Sequence, residues 1–450
     1  MIRPLFISVS ILALAGCASL SPLQRETTTD SGISLPVGYD YAGELEALSV
    51  PDQAWWEGFN SADLDALITE ALAANNTLAQ GLANVDASRA ALTTANAAFL
   101  PQASGSLSSS SNTQSGLDDI DASARLSASY QLDLFGANAA GRNAALASLD
   151  AAIFAQRALE LTVQSDVAAG WFNLLAAREQ LAVARRNLEI SERIFQIVEF
   201  RYEAGVISGF DVSSQAAQLA NARAAIPQLE SQITSQETAL AILLGRAPQG
   251  YDAPQADVLN IALPVADPGL PSDLLLRRPD LMQSEASLRA ANANIDAARA
   301  AFFPSIDLGA GLSSVLTGGA DLVGSLSASV AQTIFSGGRL DAQLEGAEAR
   351  REGQLAAYRQ SILNALRDVD VSLKAIEANE AREDQLLIAR DAAEDALRAA
   401  EIQYQAGTGD LTSLLNAQQS YFSAANSYVL GRLDRLTAAI NLYVAVGGDY

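Results

Sequence analysis

The stretch AAFLPQASGSLSSSS at residues 97–111 returns as AAFFPSIDLGAGLSS at residues 300–314. The match continues further along the chain, where LSASYQLDLFG at 126–136 returns as LSASVAQTIFSGG at 326–338. A repeat whose period is about half of the chain indicates a duplicated domain half rather than a solenoid of short units. The chain therefore contains two copies of one structural unit.

Each copy has the pattern of a helix, a β-hairpin, a long helix, a turn and a second helix. We place the first copy at 61–245 and the second at 273–450, with the proline-rich segment 246–272 as a connector between them. Asn60 or Ser61 is the expected N-cap of the first helix. The predicted helices are 62–98, 137–203, 209–245, 280–301, 338–405 and 410–446, and the predicted strands are 101–112, 122–134, 304–315 and 325–335.

The long helix of the first copy has a seven-residue apolar period, which predicts a left-handed coiled coil. Its large residues are Val167, Leu174, Leu181, Leu188, Phe195 and Tyr202, and the small residues between them are Gly170, Ala177, Ala184 and Ser191. A second apolar row, from Ala169 to Ile197, lies roughly 200° around the helix. Two opposed seams indicate a neighbour on each side, as in a wall or a tube. The polar stripe of Asp166, Asn173, Gln180 and Asn187 either lines the water of such a tube or forms a solvated outer face.

The predicted strands alternate between apolar and polar residues, as strands with one face in lipid do. In the second strand Leu126, Ala128, Tyr130, Leu132 and Leu134 fall on one face, and Arg125, Ser127, Ser129, Gln131 and Asp133 fall on the other. Each run has the length that crosses a bilayer when tilted. Four strands cannot close a barrel, and open sheet edges are not tolerated in hydrocarbon. If the strands span lipid, several copies of the chain must share one barrel.

The amino terminus reads MIRPLFISVSILALAGC, which has the basic start, apolar run and small residues of a secretory signal peptide at 1–16. Its ending, LAGC, resembles a bacterial lipobox. That resemblance implies cleavage before Cys17, a diacylglycerol on its sulfur and an amide-linked acyl chain such as palmitate. The Ala18–Ser19 pair that follows is typical of sorting to the outer membrane. Residues 17–60 then form a lipidated tether.

The composition argues against whole classes of function. The net charge of −24 argues against a nucleic-acid partner, because phosphate binding needs clustered Lys and Arg. The chain has no histidine and only one cysteine, which removes most general-base and metal-site schemes. With no nucleophile elbow and no phosphate loop either, we expect neither an enzyme nor a bound cofactor.

Three blocks resemble the outer membrane factor (TolC-like) family: WWEGFNSADLDALITEALAANNTL at 55–78, the segment 274–308, and the paired motifs YEAG and YQAG. The lipoprotein branch is the most similar, the NodT- or OprM-like exit ducts of resistance–nodulation–division efflux systems. The resemblance implies a mainly helical homotrimer. Its twelve-stranded outer-membrane β-barrel, four strands per chain, continues as a long α-helical barrel. A periplasmic adaptor and an inner-membrane pump are the implied partners, and multidrug efflux is the implied function.

The resemblance also implies roles for particular residues. The two glycine turns become the periplasmic tips, where the candidate adaptor contacts are Tyr202, Ala204, Gly205, Tyr404, Ala406 and Gly407. The alternative interpretation is that these six residues only form the turns. The constriction follows the second tip, at Ser413, Asn416 and Gln419. The family usually has a carboxylate at the position of Asn416, so this departure puts an acidic gate in doubt. Asp410 and Asp211 either supply charge there or cap their helices.

Two other functions stay open at this stage. A type I protein secretion duct would use the same architecture, and a coiled-coil periplasmic lipoprotein scaffold would have no pore. Sequence patterns separate these functions poorly from the efflux duct, although the lipobox and the 274–308 block favour the drug-efflux branch. The transported substrates and the resting state of the gate are not encoded in any motif that we recognise.

Overall fold

The computed structural model describes residues 31–33, 35–36, 38–39, 54–111, 120–264, 271, 273–316 and 321–448. The predicted signal peptide, Cys17 and most of the tether lie outside the described residues. The helices are α1 (Ala62–Ala74), α2 (Asn76–Ala97), α3 (Ala137–Glu203), α4 (Gly209–Leu243), α5 (Leu274–Arg277), α6 (Pro279–Ala300), α7 (Arg339–Gln405) and α8 (Leu411–Val446). The strands are β1 (Gln102–Ser111), β2 (Ile120–Leu132), β3 (Ser305–Val315) and β4 (Leu322–Ala331).

The duplicated order of elements is confirmed. In both copies a β-hairpin is followed by a long helix, a glycine turn and a shorter returning helix. The long helices, α3 and α7, have 67 residues each, which corresponds to a length of ~100 Å at 1.5 Å per residue. Each long helix and its returning helix form a hairpin: α3 with α4 is the first hairpin, and α7 with α8 is the second. Within the described residues, no helix combines the length and apolarity needed to cross a bilayer.

The prediction of one helix over 62–98 is wrong, because the helix breaks at Asn75. The Asn75 side chain accepts hydrogen bonds from the backbone N–H groups of Thr77 and Leu78 and donates to the carbonyl of Leu243. This side chain therefore caps α2 and fixes it to the end of α4. Of the two proposed caps for α1, Ser61 is the one used, through a bond from the N–H of Leu64.

The four strands form one antiparallel sheet in the order β1-β2-β3-β4, so β1 and β4 are its edges. The register confirms the predicted alternation. Leu126 lies opposite Leu312, and Ala310 lies opposite Leu326, which gathers the apolar residues on one face. On the other face serine hydroxyls bond across the strands, as between Ser104 and Ser127 at 2.9 Å. β4 begins and ends a few residues before the predicted strand 325–335.

The main hydrophobic core lies at mid-length of the long helices and contains residues of α1, α3, α6, α7 and α8. The last residues of the predicted tether belong to it. They form a short 3₁₀ helix, Trp55–Phe59, in which Trp55 stacks on Tyr443 and Phe59 packs against Phe172. A second, smaller apolar cluster lies near the turns at the far end of the hairpins, around Ile194, Tyr404 and Leu414.

Two arginines attach the connector to the helices. Arg178 of α3 donates to the carbonyls of Ala253 and Pro254 and pairs with Glu237. Arg432 of α8 donates to the carbonyl of Val258 at 3.3 Å and also to that of Ile261. Arg432 further pairs with Glu383 of α7, and both side chains are buried. Glu383 also pairs with Arg435 at 2.9 Å, so this buried carboxylate has two arginine partners.

Candidate functional site: the hairpin tips

The tip of the first hairpin is a tight turn that depends on Gly205. This residue has a φ of +70°, a conformation that costs a side-chain-bearing residue energy and glycine none. Its N–H donates to the carbonyl of Tyr202, and the N–H of Val206 donates to the carbonyl of Arg201. These bonds satisfy carbonyl groups that the end of α3 would otherwise leave unpaired.

The tip of the second hairpin repeats this geometry around Gly407, which has a φ of +79°. The N–H of Gly407 donates to the carbonyl of Tyr404, and the N–H of Thr408 donates to that of Gln403. Ala204 and Ala406 occupy the same place, directly before the glycine, as the C-caps of the two long helices. The two predicted turns are thus one structure built twice.

Asp211 and Asp410 both cap helices, which confirms one of the two interpretations of these residues. In the first tip the carboxylate of Asp211 accepts bonds from the N–H and the hydroxyl of Ser208. In the second tip the carboxylate of Asp410 accepts bonds from the N–H and the hydroxyl of Ser413. The serine and the aspartate have exchanged places between the copies. The bonds from Ser413 lower the pKa of the Asp410 carboxyl.

The two tyrosines of the repeated motif have opposite environments. The Tyr202 side chain is 50% exposed, whereas Tyr404 is 2% exposed. Tyr404 packs in the smaller apolar cluster with Ile194 and Leu414. The Arg201 guanidinium also lies over its ring and donates to the Tyr404 carbonyl. Sequence reasoning treated the pair as equivalent. The Tyr404 side chain instead packs inside the chain, where its hydroxyl has no hydrogen-bond partner among the described residues.

The predicted constriction residues fall on one face of α8. Ser413, Asn416 and Gln419 recur every three residues and are all exposed in the single chain. Their side chains are polar and uncharged, and the nearby carboxylate of Asp410 is occupied by its capping bonds. In the part of the chain that the structure describes, no three acidic or cysteine side chains come together as a metal ion would require.

A buried polar cluster, which sequence reasoning missed, joins the two hairpins above their tips. The amide nitrogen of Gln418 donates to the Asn187 side chain at 2.9 Å and to the Ser191 hydroxyl at 2.6 Å. The amide nitrogen of Gln215 donates to the backbone carbonyl of Ser191 at 3.1 Å. The only sequence signal was a serine in a seam of alanines. The cluster places Asn187, a member of the predicted polar stripe, in contact with α8.

Ion pairs connect the two long helices along the same region. Arg186 pairs with Glu394 at 2.7 Å, and two helical turns further on Arg193 pairs with Glu401 at 3.3 Å. Arg201 continues this row towards the tips. Because exposed ion pairs contribute little individually, the packing of the apolar cluster and these polar contacts together hold the hairpins side by side.

Comparison with known proteins places this geometry among membrane channels. A family model described as "Outer membrane efflux protein" matches residues 67–246 and 270–448, one match for each copy of the repeat. The chain is 35% identical to the pyoverdine export outer membrane protein OpmQ of Pseudomonas aeruginosa, over 98% of this chain and 95% of that protein. It is 30% identical to the probable outer membrane lipoprotein SilC of Salmonella typhimurium, over 98% and 97%. It superimposes on the open-state crystal structure of the Neisseria gonorrhoeae MtrE outer membrane channel with a TM-score of 0.82 and 29% identity, covering 95% of this chain and 97% of that one.

Proposed function

This chain belongs to the outer membrane efflux protein family, and from that membership we propose that it is the outer-membrane exit duct of a tripartite efflux pump. It conducts small molecules from an inner-membrane transporter and a periplasmic adaptor across the periplasm and the outer membrane. The observation that carries the proposal is the match of the family model to both copies of the repeat. The relatives are export and channel proteins, which favours passive conduction over chemistry on the substrate.

The sheet supports a barrel shared by three copies. One face is apolar, the other is rich in hydroxyl groups, and β1 and β4 are edges that lack a second strand partner within the described chain. Because backbone groups at open edges cannot remain unpaired in hydrocarbon, β4 of one copy pairs with β1 of the next. Three copies supply twelve strands, and the same symmetry gathers the hairpins of the three copies into one tube.

The outer membrane holds the protein in two ways under this proposal. The apolar face of the sheet contacts acyl chains, and the acylated Cys17 inserts beside it. The three acyl chains of the anchor and the apolar face of the sheet each bury apolar surface, so the two attachments reinforce one another. The lipobox-like ending LAGC supports the anchor, and the family and its relatives support the outer-membrane location.

The hairpin tips carry the remaining roles. The turns at Ala204–Gly205 and Ala406–Gly407 form the end of the tube that the adaptor contacts. The face of α8 with Ser413, Asn416 and Gln419 forms a neutral constriction, which packing and uncharged hydrogen bonds keep narrow. Asp211 and Asp410 act there as helix caps. The export of pyoverdine by the relative OpmQ favours small molecules over folded proteins as the transported class.

Conductance and imaging test the proposal together. The full-length protein is extracted in detergent, imaged at low resolution and added to a planar bilayer. We expect a hollow tapered cylinder with threefold symmetry and discrete conductance steps. A chain that is water-soluble and monomeric once its acyl groups are removed would contradict the duct, and would favour the non-channel scaffold.

A further inference from the structure

We propose that Arg125 is an anion-recognition point on the lumen wall of the shared barrel, an inference that rests on the proposed function. Within the four strands, Arg125 is the one basic residue. It lies in β2, opposite Ser106 of β1 and Ser313 of β3. The ligand class that fits it is a small anion such as the carboxylate of a transported molecule, because the guanidinium fork matches carboxylate geometry.

The register assigns Arg125 to the face of the sheet that is rich in hydroxyl groups. On either side of it along the strands, serine pairs bond across β1 and β2 at 2.9 Å and 2.8 Å: Ser104 with Ser127, and Ser108 with Ser123. The next residue of β2, Leu126, belongs to the apolar face and lies opposite Leu312. Because acyl chains contact the apolar face under the proposed function, Arg125 faces the water inside the barrel.

The charge of Arg125 is free to act on a passing molecule. Its side chain is exposed and has no ion-pair or hydrogen-bond partner among the residues that the structure describes. The spacing of residues and strands in a sheet puts the Cα atoms of Asp121, Asp307 and Asp321 about 12–20 Å from that of Arg125. These separations exceed the Debye length of ~8 Å at physiological ionic strength, so the carboxylates leave the local field of the guanidinium largely intact.

The second copy of the repeat shows that the fold does not need this arginine. Gly136 and Gly338 are the N-caps of the two long helices, which aligns Arg125 with Ser327 of β4. The Ser327 hydroxyl donates to the carbonyl of Gly309 in β3 at 3.4 Å. The same place in the hairpin is thus filled by a short neutral residue, and the arginine of the first copy is an addition to the lumen wall.

Threefold symmetry brings three copies of Arg125 to one level of the barrel. Twelve strands about 4.8 Å apart and tilted by ~40° enclose a lumen about 24 Å wide at the backbone, which long side chains narrow further. A molecule on the axis therefore passes within roughly one Debye length of each guanidinium. In a protein whose chains each carry a net charge of −24, this level attracts anions that the acidic surfaces elsewhere repel.

The test removes the charge and then moves it within the barrel. Arg125→Ser gives the first copy the residue of the second, and R125S/S327R carries the arginine on β4 instead. Asp307→Asn is the matched control, because Asp307 lies opposite Gln131 on the same face and has the opposite charge. Each full-length protein, extracted in detergent, is placed in a planar bilayer between unequal KCl concentrations. The reversal potential gives the permeability ratio of chloride to potassium, and added citrate measures block by a carboxylate.

We expect R125S to lower the permeability ratio on the order of 3-fold and R125S/S327R to return it to within about 2-fold of the wild type. Citrate block should weaken on the order of 10-fold in R125S, since the charged hydrogen-bond donors are lost. D307N should shift the ratio in the opposite direction. If R125S conducts normally with either the ratio or the block unchanged, or if D307N shifts the ratio as R125S does, the anion site is overturned and the duct stands. Absence of conductance from the wild type would instead contradict the duct itself.

Discussion

The guanidinium carbon of Arg201, at the end of α3, lies 4.3 Å from the centroid of the Tyr404 ring in the second hairpin. The same guanidinium donates a hydrogen bond to the Tyr404 carbonyl. A cation over a tyrosine face contributes about 0.5–2 kcal/mol, depending on how dry the contact is. This one side chain therefore connects the last turns of two helices that are remote in sequence.

We expect Arg201→Gln to loosen the second tip and leave the first unchanged. Glutamine can still reach a carbonyl but loses the charge and the planar fork that stack on the ring. Amide hydrogen exchange should become faster at residues 404–409 and stay the same at 205–209. Arg185→Gln, which breaks an exposed ion pair with Glu230, is the control. Uniform acceleration in both tips would contradict a specific contact.

Alanine substitution at two glycines with nearly the same φ should reduce the free energy of unfolding by different amounts. Gly205 has a φ of +70° with no atom within 4 Å of an added Cβ, whereas Gly245 has a φ of +69° and its Cβ would lie 2.2 Å from the carbonyl oxygen of Ala74. Gly205→Ala should lower the free energy of unfolding by about 1 kcal/mol, which is the backbone term alone. Gly245→Ala should cost several kcal/mol more, because the clash is with backbone. Urea unfolding of the detergent-extracted protein measures the free energy of unfolding of both variants. Equal decreases in the two variants would exclude the clash.

Replacement of Arg432, the buried arginine of α8 that bonds to the connector, should have a large effect on stability. Arg432→Met leaves Glu383 with a single partner, Arg435, and removes the donors to two connector carbonyls. We expect a loss of roughly 3 kcal/mol, as for other buried pairs broken on one side. Arg382→Met, which breaks a half-exposed pair with Asp434, should cost about 0–1 kcal/mol in the same unfolding measurement. Similar losses for the two variants would show that burial is not the cause.

Because Asp410 caps α8, the stability of the folded chain should depend on pH in the acidic range. Its hydrogen bonds lower the pKa of Asp410 in the folded chain, so the unfolded chain binds more protons at low pH. The cap's contribution is complete above the ordinary aspartate value of about 3.9 and is lost as the pH falls through the lower folded value. Asp410→Asn keeps an acceptor for the N–H of Ser413 but does not titrate. The difference in thermal midpoint between wild type and D410N should be constant from about pH 7 to 5 and change below about pH 4. A difference that is constant down to about pH 2 would rule out this titration.

Under the proposed shared barrel, adjacent residues of β4 test which face of the sheet contacts lipid. Leu326 is 90% exposed and lies opposite Ala310, on the apolar face, while Ser327 lies opposite Gly309 on the other face. Leu326→Arg should reduce insertion into the outer membrane, because an arginine near the bilayer midplane costs about 2–4 kcal/mol. Ser327→Arg should insert normally and alter the ion selectivity of the pore. Outer-membrane yield and bilayer recordings measure the two effects, and the opposite pattern would mean that the faces are reversed.

Features that depend on local patterns were predictable from the sequence. The bounds 137–203 of the first long helix match α3 to the residue, because the heptads extend over much of it and glycine turns flank it. The faces of the strands were also predicted, since alternation alone assigns them and the register preserves it.

Features that depend on distant partners were not predictable. The break at Asn75 is held by the Leu243 carbonyl, 168 residues away in sequence. Tyr404 is buried against Ile194 and Val198 of the other hairpin, and Arg201, 203 residues away, covers its ring. The two motifs, YEAG and YQAG, differ at one position, and neither indicates which tyrosine is buried.

The exchanged caps bear on how the two halves can evolve. Ser208 with Asp211 and Asp410 with Ser413 are complete pairs, yet each is the reverse of the other. Gene conversion that copied one position from one half into the other would create two facing carboxylates or two serines. Each half would have to receive both positions in one event. The Ser and Asp of each pair are therefore coupled: a change at one position of a tip is tolerated only with a matching change three residues away.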